Sequence, residues 1–143
     1  MDTFDADALI FAAVPEHPQG RRVLALFQQA SGTMVGYGSV LLLPEVLSKP
    51  RREGSHTKLR TLESLLARID LRPVDLALAE LSTVLAAKYR LRAADATHLA
   101  TAVSLGADRF ITNNQRDFPR SIAEVQVTYL ADLPDPGQHA ALA

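Results

Sequence analysis

The segment FDADALI, Phe4 to Ile10, sets two carboxylates, Asp5 and Asp7, one residue apart where a hydrophobic start gives way to a helical pattern. Thr3 to Asp5 reads as a short strand, and Asp7 to Ala13 as a helical turn that stops before Pro15. Open α/β sheets collect ligands outside the carboxyl ends of their strands, near the point where strand order reverses. Asp5, at the end of a first strand, therefore reads as a residue of chemistry. Asp7 is equally well explained as a first-turn acid favoured by the helix dipole.

Outward from this segment, Val23, Leu24, Phe27 and Ala30 recur at helical spacing within Pro18 to Ala30, and Ser31-Gly32 ends the pattern. Met34 to Tyr37 reads as a buried strand. Ser39 reads as the N-cap of a helix through Leu47, where Pro44 is tolerable only within about the first turn. Lys49 to Ser55 is expected to be a charged loop, and Leu59, Leu62, Leu65, Leu66 and Ile69 mark an amphipathic helix. Leu71 to Val74 forms a short extended piece, and Asp75 to Tyr89 and Ala93 to Leu105 are helices, the second closed by Gly106. Arg109 to Thr112 and Val125 to Tyr129 are two more strands. Strands and helices alternating in this order imply a parallel sheet covered on both faces.

The 143 residues suffice for one core without disulfides or a structural metal. Residues 1–133 are expected to form a single domain. Residues 134–143, with two prolines, a glycine and little periodicity, are expected to be a flexible C-terminal tail.

The absence of cysteine excludes a disulfide framework, a thiolate nucleophile and zinc-thiolate chemistry. The start has no basic region and no long apolar region of a signal peptide, and the most apolar run, Met34 to Leu47, is too short to span a bilayer. The expectation is a soluble cytoplasmic protein without a membrane partner. A net charge of −1 exerts no global pull on a polyanion, so any nucleic acid must be held by a local patch. Lys49, Arg51, Arg52, His56, Lys58 and Arg60 form one candidate.

Three further places carry acids in unusual company. Glu45 lies in VLLLPEVL among aliphatic neighbours, where an unpaired ionised carboxylate would be costly to bury; the plain alternative is a solvated helix position. Asp95, in LRAADATHLATAVSLG, shares a face with Leu99 and Ala102, unless it is simply a first-turn charge. ITNNQRDF, Ile111 to Phe118, follows a strand and offers Thr112 and Asn113 as donors and Asp117 as an acid, though an acid before Phe118-Pro119 also suits a turn. Several acids at one sheet edge repel one another unless a cation neutralises them. Oxygen ligands suit Mg2+ or Mn2+, which would activate water and stabilise charge on a phosphoryl oxygen. His17, His56 and His139 show no metal-ligand spacing, and His98 reads as a packed or surface histidine.

Together, FDADALI, SVLLLPEVLSKP, LRAADATHLATA and FITNNQRDF resemble, in order and spacing, the PIN-domain family, and especially its VapC-type toxin ribonucleases. The resemblance covers nearly the whole chain. It implies a three-layer α/β/α sandwich with a parallel sheet of about five strands. It makes Asp5, Glu45 and Asp95 the metal-binding catalytic acids. The family's Thr-Asn-Asp sequence corresponds here to Thr112, Asn113 and Asn114, so Asn114 departs from the pattern, and Asp117 is expected to take over as the fourth acid. Asp7 would then contact the water around the ion, with Thr112, Asn113 and Asn114 supporting.

The function so implied is Mg2+- or Mn2+-dependent hydrolysis of RNA phosphodiesters, with Arg51, Arg52, Lys58 and Arg116 as candidate phosphate contacts, a small antitoxin as partner and a homodimer as assembly. Two rivals stand beside it. A phosphatase of the haloacid-dehalogenase type also follows its first strand with D-x-D, but wants a downstream lysine and a late acidic pair that are not well placed here. A degenerate PIN scaffold would bind RNA or protein without cutting, and Asn114 is the feature in its favour.

Overall fold

The computed structural model describes residues 1–137. The chain runs β1 (Asp2–Phe4), α1 (Ala6–Ala12), α2 (Pro18–Gln29), β2 (Gly36–Ser39), α3 (Leu42–Glu53), α4 (His56–Leu66) and β3 (Ile69–Arg72). It continues through α5 (Leu76–Tyr89), α6 (Ala93–Ser104), β4 (Arg109–Thr112) and β5 (Gln126–Tyr129) to a 3-10 turn at Leu130–Asp132. All four strand pairings are parallel, in the order β3-β2-β1-β4-β5. The chain builds outward from β1 to β3, then returns to place β4 on the other side of β1. The carboxyl ends of β1 and β4 thus flank the reversal of strand order, where a crevice forms in such sheets.

Alternation along the strands assigns the two faces. Phe4, Ile69 and Ile111 point into a core shared with α1 to α4, including Leu9, Val23, Leu42 and Leu62. Phe110, Val127 and Tyr129 point the other way, against Leu85 of α5 and Leu99 of α6. This is the expected α/β/α sandwich around five parallel strands.

Several boundaries depart from the sequence reading. β1 ends at Phe4, so Asp5 lies just beyond the strand as the N-cap of α1. β2 begins at Gly36 instead of Met34, which is exposed. The glycines that weaken the strand signal are required here: a Cβ at Gly36 would lie 2.5 Å from the Asp2 carbonyl oxygen. Ser39 stays in the strand, and its hydroxyl accepts from the Leu41 N–H, while α3 starts at Leu42. The supposed loop at Lys49 to Ser55 is mostly the last turns of α3, with Pro50 inside the helix and buried. A proline interior to a helix removes one backbone bond, yet α3 runs through it to Glu53. Pro44 sits in the first turn, as required.

Ile69 belongs to β3 and not to the preceding helix, because α4 ends at Leu66 and the chain turns through Ala67 and Arg68. The Arg68 guanidinium fixes that turn by donating to the carbonyls of Phe27, Gly32 and Thr33 at 2.6 to 3.1 Å. Gly106 adopts a positive φ of 62° after the last residue of α6, as its position predicts. Of the expected tail, Asp135 lies 3.7 Å from Arg22, whereas residues 138–143, including His139, lie outside the described residues. No helix among the described residues is long and apolar enough to cross a membrane.

Candidate metal and phosphodiester site

Asp5 sits where β1 gives way to α1 and is only 5% exposed. One oxygen accepts from the Ala6 N–H at 2.9 Å, and the other from the Thr112 hydroxyl at 2.7 Å. Its own N–H donates to the Ile111 carbonyl, continuing the β1–β4 ladder past the strand end. Thr112 also accepts from the Asn114 N–H at 3.0 Å, so one hydroxyl links the first acid to the loop after β4. Asp7, one residue into α1, accepts from the Asn113 N–H at 3.0 and 3.2 Å. FDADALI and FITNN are therefore stitched together by both aspartates.

Glu45 comes from the first turn of α3 and Asp95 from the first turn of α6, on opposite faces of the sheet. Glu45 reaches across the sheet edge to His98, one turn beyond Asp95, with Oε1 2.9 Å from Nε2. A carboxylate can only accept, so Nε2 carries the proton. His98 is 2% exposed, the packed one of the two alternatives that the sequence reading gave, and it also meets Glu45 through Nε2, which that reading did not foresee. The signal that could have found it is its spacing, three residues from Asp95 on one helix face.

Asn114 and Asp117 bind each other: the Asn114 amide donates to the Asp117 carboxylate at 2.9 Å, and the Asp117 N–H donates to the Asn114 carbonyl at 3.1 Å. The Asn114 side-chain oxygen is thus engaged within the turn. Asn114 orients Asp117.

Burial lifts Asp5 above the usual carboxylate range, against the opposing pull of His98, Thr112 and the Ala6 N–H, with Glu45 adding to the rise. Asp7 is pushed up to about 7, first by burial and then by the charge of Asp5. Asp95 is raised by burial and then by Asp5, Asp117 and Glu45 in turn. Burial opposes protonation of His98, yet the bond to Glu45 and the charges of Asp5, Glu45 and Asp95 together raise it. Asp95 thus lies in the field of Asp5, Asp117 and Glu45, and Asp5 in that of Glu45.

They do not close into a cage. Among the described residues, no three His, Cys, Asp or Glu side chains form a group that could hold one ion. Each of Asp5, Glu45 and Asp117 is held instead by its own partner, Thr112, His98 or Asn114. The donor chemistry fits a hard cation all the same: the acids offer oxygen donors only, and Mg2+ binds through one or two carboxylates while keeping several waters.

The basic candidates fall in two places. Arg116 is exposed in the loop beside Asp117. Arg51 and Arg52 occupy the last turn of α3, roughly 9 Å along the helix from Glu45 at 1.5 Å per residue. Lys58 lines a groove of about 520 Å³ with Ala13, Val14, Ser55 and Thr61. Arg51 faces Glu63 at 3.8 Å across an exposed pair, which leaves it available to another anion.

The doubly covered parallel sheet, with acids at the β1/β4 reversal, defines an α/β sandwich whose crevice lies at one edge. The PIN domain model matches residues 4–123, and the chain belongs to that family. None of the curated proteins compared with the chain counts as a match. One similar solved structure is a toxin-antitoxin complex from Klebsiella pneumoniae, at 25% identity and TM-score 0.67, covering 87% of this chain and 95% of that one. Another is VapBC2 from Rickettsia felis bound to a DNA fragment from its promoter, at 15% identity and TM-score 0.69, covering 90% and 97%. The second likeness speaks to fold alone.

Proposed function

We propose that this chain is a divalent-metal-dependent endoribonuclease, the toxin of a toxin-antitoxin pair. The observation that carries the reading is that Asp95 lies close enough to Asp5, Asp117 and Glu45 to feel the charge of each, at the reversal of strand order. Membership of the PIN domain family and the likeness to the Klebsiella pneumoniae toxin-antitoxin complex support it.

In this reading Asp5, Glu45, Asp95 and Asp117 hold Mg2+ or Mn2+ directly or through water. A bound divalent ion supplies Lewis acidity, polarising water and neutralising charge on the phosphoryl oxygens. The chain's own groups do the positioning. Thr112 and the Ala6 N–H fix both oxygens of Asp5, and Asn113 fixes Asp7 beside it. Asp7, held by the Asn113 N–H beside Asp5, would contact the water around the ion. Arg116, Arg51, Arg52 and Lys58 bind flanking phosphates of the RNA as sequence-independent contacts. The remaining elements of the proposal are one domain over residues 1–133, a homodimer, a small antitoxin partner and a cytoplasmic setting.

The test is cleavage of single-stranded RNA by the partner-free chain with Mg2+, Mn2+ or chelator, beside single-stranded DNA. Metal-dependent RNA cleavage abolished by Asp5→Asn supports the reading, as does growth arrest on expression that a cognate antitoxin relieves. A second reading, a scaffold that binds RNA without cutting, is favoured by the Asn114–Asp117 pair, which replaces an acid with a neutral amide. RNA binding that persists with no cleavage and no metal uptake would select it.

A further inference from the structure

Glu45 and His98 are joined across the edge of the sheet, from helices on opposite faces. The Glu45 side chain is 33% exposed, and His98 is its one hydrogen-bond partner among the described residues, so this bond alone selects its direction toward Asp5 and Asp95. The histidine is unusual in another respect. Its side chain is fully buried, and its second nitrogen, Nδ1, is buried without a partner among the described residues. A residue serving only to fill this space would be an aliphatic one, which leaves no buried nitrogen unmet. Retaining the imidazole makes sense through the bond at Nε2.

We infer that His98 is a positioning residue: it clips α6 to α3 and fixes the Glu45 carboxylate for the cation and phosphodiester site. The inference rests on the proposed nuclease reading and assigns the orienting group of one of its acids. Outer groups of this kind are worth about 10 to 100-fold in metal affinity.

The experiment is Mn2+ titration calorimetry on the full chain and on variants checked for folding by circular dichroism. His98→Leu is expected to weaken Mn2+ binding about tenfold, and to have no further effect in a Glu45→Ala background, since the histidine acts through that carboxylate. His98→Gln places an amide donor near the position of Nε2 and is expected to recover binding to within about threefold, whereas the shorter His98→Asn is not. If the leucine variant fails to fold, the contrast between glutamine and asparagine carries the test. An equal loss in the Glu45→Ala background, or glutamine no better than asparagine, overturns the inference and leaves a packing role. Wild-type binding that His98→Leu leaves intact overturns the inference alone; a wild-type chain that takes up no Mn2+ overturns the nuclease reading with it.

Discussion

The Thr112 hydroxyl donates to Asp5 at 2.7 Å and so joins the carboxyl ends of β4 and β1 at the one place in the sheet where strand order reverses. Both residues are buried, so the bond is shielded from competing water. Thr112→Val removes the donor at similar volume and leaves a buried carboxylate under-satisfied. The expected loss is about 1 to 3 kcal/mol of stability, read from denaturant midpoints at constant m-value. An unchanged midpoint would show that the bond is dispensable.

The raised acids make a prediction about pH. Asp7 moves from 3.8 to about 7 on folding, so between these values the native chain keeps a proton that the unfolded chain has released. Stability of the metal-free protein therefore falls as pH rises toward 7 and levels off above it. Asp5 and Asp95, raised by burial, act in the same direction. Glu124, held down to about 2 by Tyr89 and Lys88, opposes this at more acidic pH, where its own contribution is lost. The urea midpoint is expected to be higher at pH 5 than at pH 7.5, and Asp7→Asn to shrink the difference. A wild-type midpoint that climbs over that interval contradicts the assignment.

Asn114→Asp tests the turn after β4. The new carboxylate loses the amide donor to Asp117 and sets two acids side by side, which lie 2.9 Å apart as amide and acid in the wild type. Without metal the variant is expected to lose about 1 to 3 kcal/mol. Saturating Mn2+ should recover part of that loss and raise the melting temperature more than in wild type, through tighter binding to the native state. An equal Mn2+ response in both chains would mean that position 114 lies outside the ion's reach.

Gly36→Ala probes the fold alone. Its Cβ would meet the Asp2 carbonyl oxygen at 2.5 Å and Phe4 at 2.9 Å, and a backbone atom inside a parallel sheet has little room to yield. A loss of about 2 to 3 kcal/mol is expected from thermal or urea unfolding. A neutral outcome would show that β1 and β2 can separate freely.

The fold was legible wherever hydrophobic periodicity and strand order agreed. β4 fell on Arg109 to Thr112 as read, and the helices Pro18 to Gln29 and Ala93 to Ser104 lost only their last residue. The misses have local causes. β2 was displaced because Gly36 and Gly38 serve close packing that propensity counts against a strand. α3 was cut short because Pro50 lies inside it despite the missing N–H. At the candidate site, Asp5 could be placed from the end of β1 and Asp95 from the start of α6, since local patterns fix those addresses. Their partners could not: the bond between Glu45 and His98 spans 53 residues and two layers, and no local pattern encodes it.

The central claim is that these acids take a divalent ion. The measurement that tests it most directly is Mn2+ and Mg2+ titration calorimetry on the partner-free chain, beside folded Asp5→Asn and Asp95→Asn variants. Saturable binding in the wild type, abolished by both substitutions, is the expected result. Wild-type binding no stronger than that of the variants, even with a phosphodiester analogue present, would contradict it and turn attention to the non-cleaving scaffold.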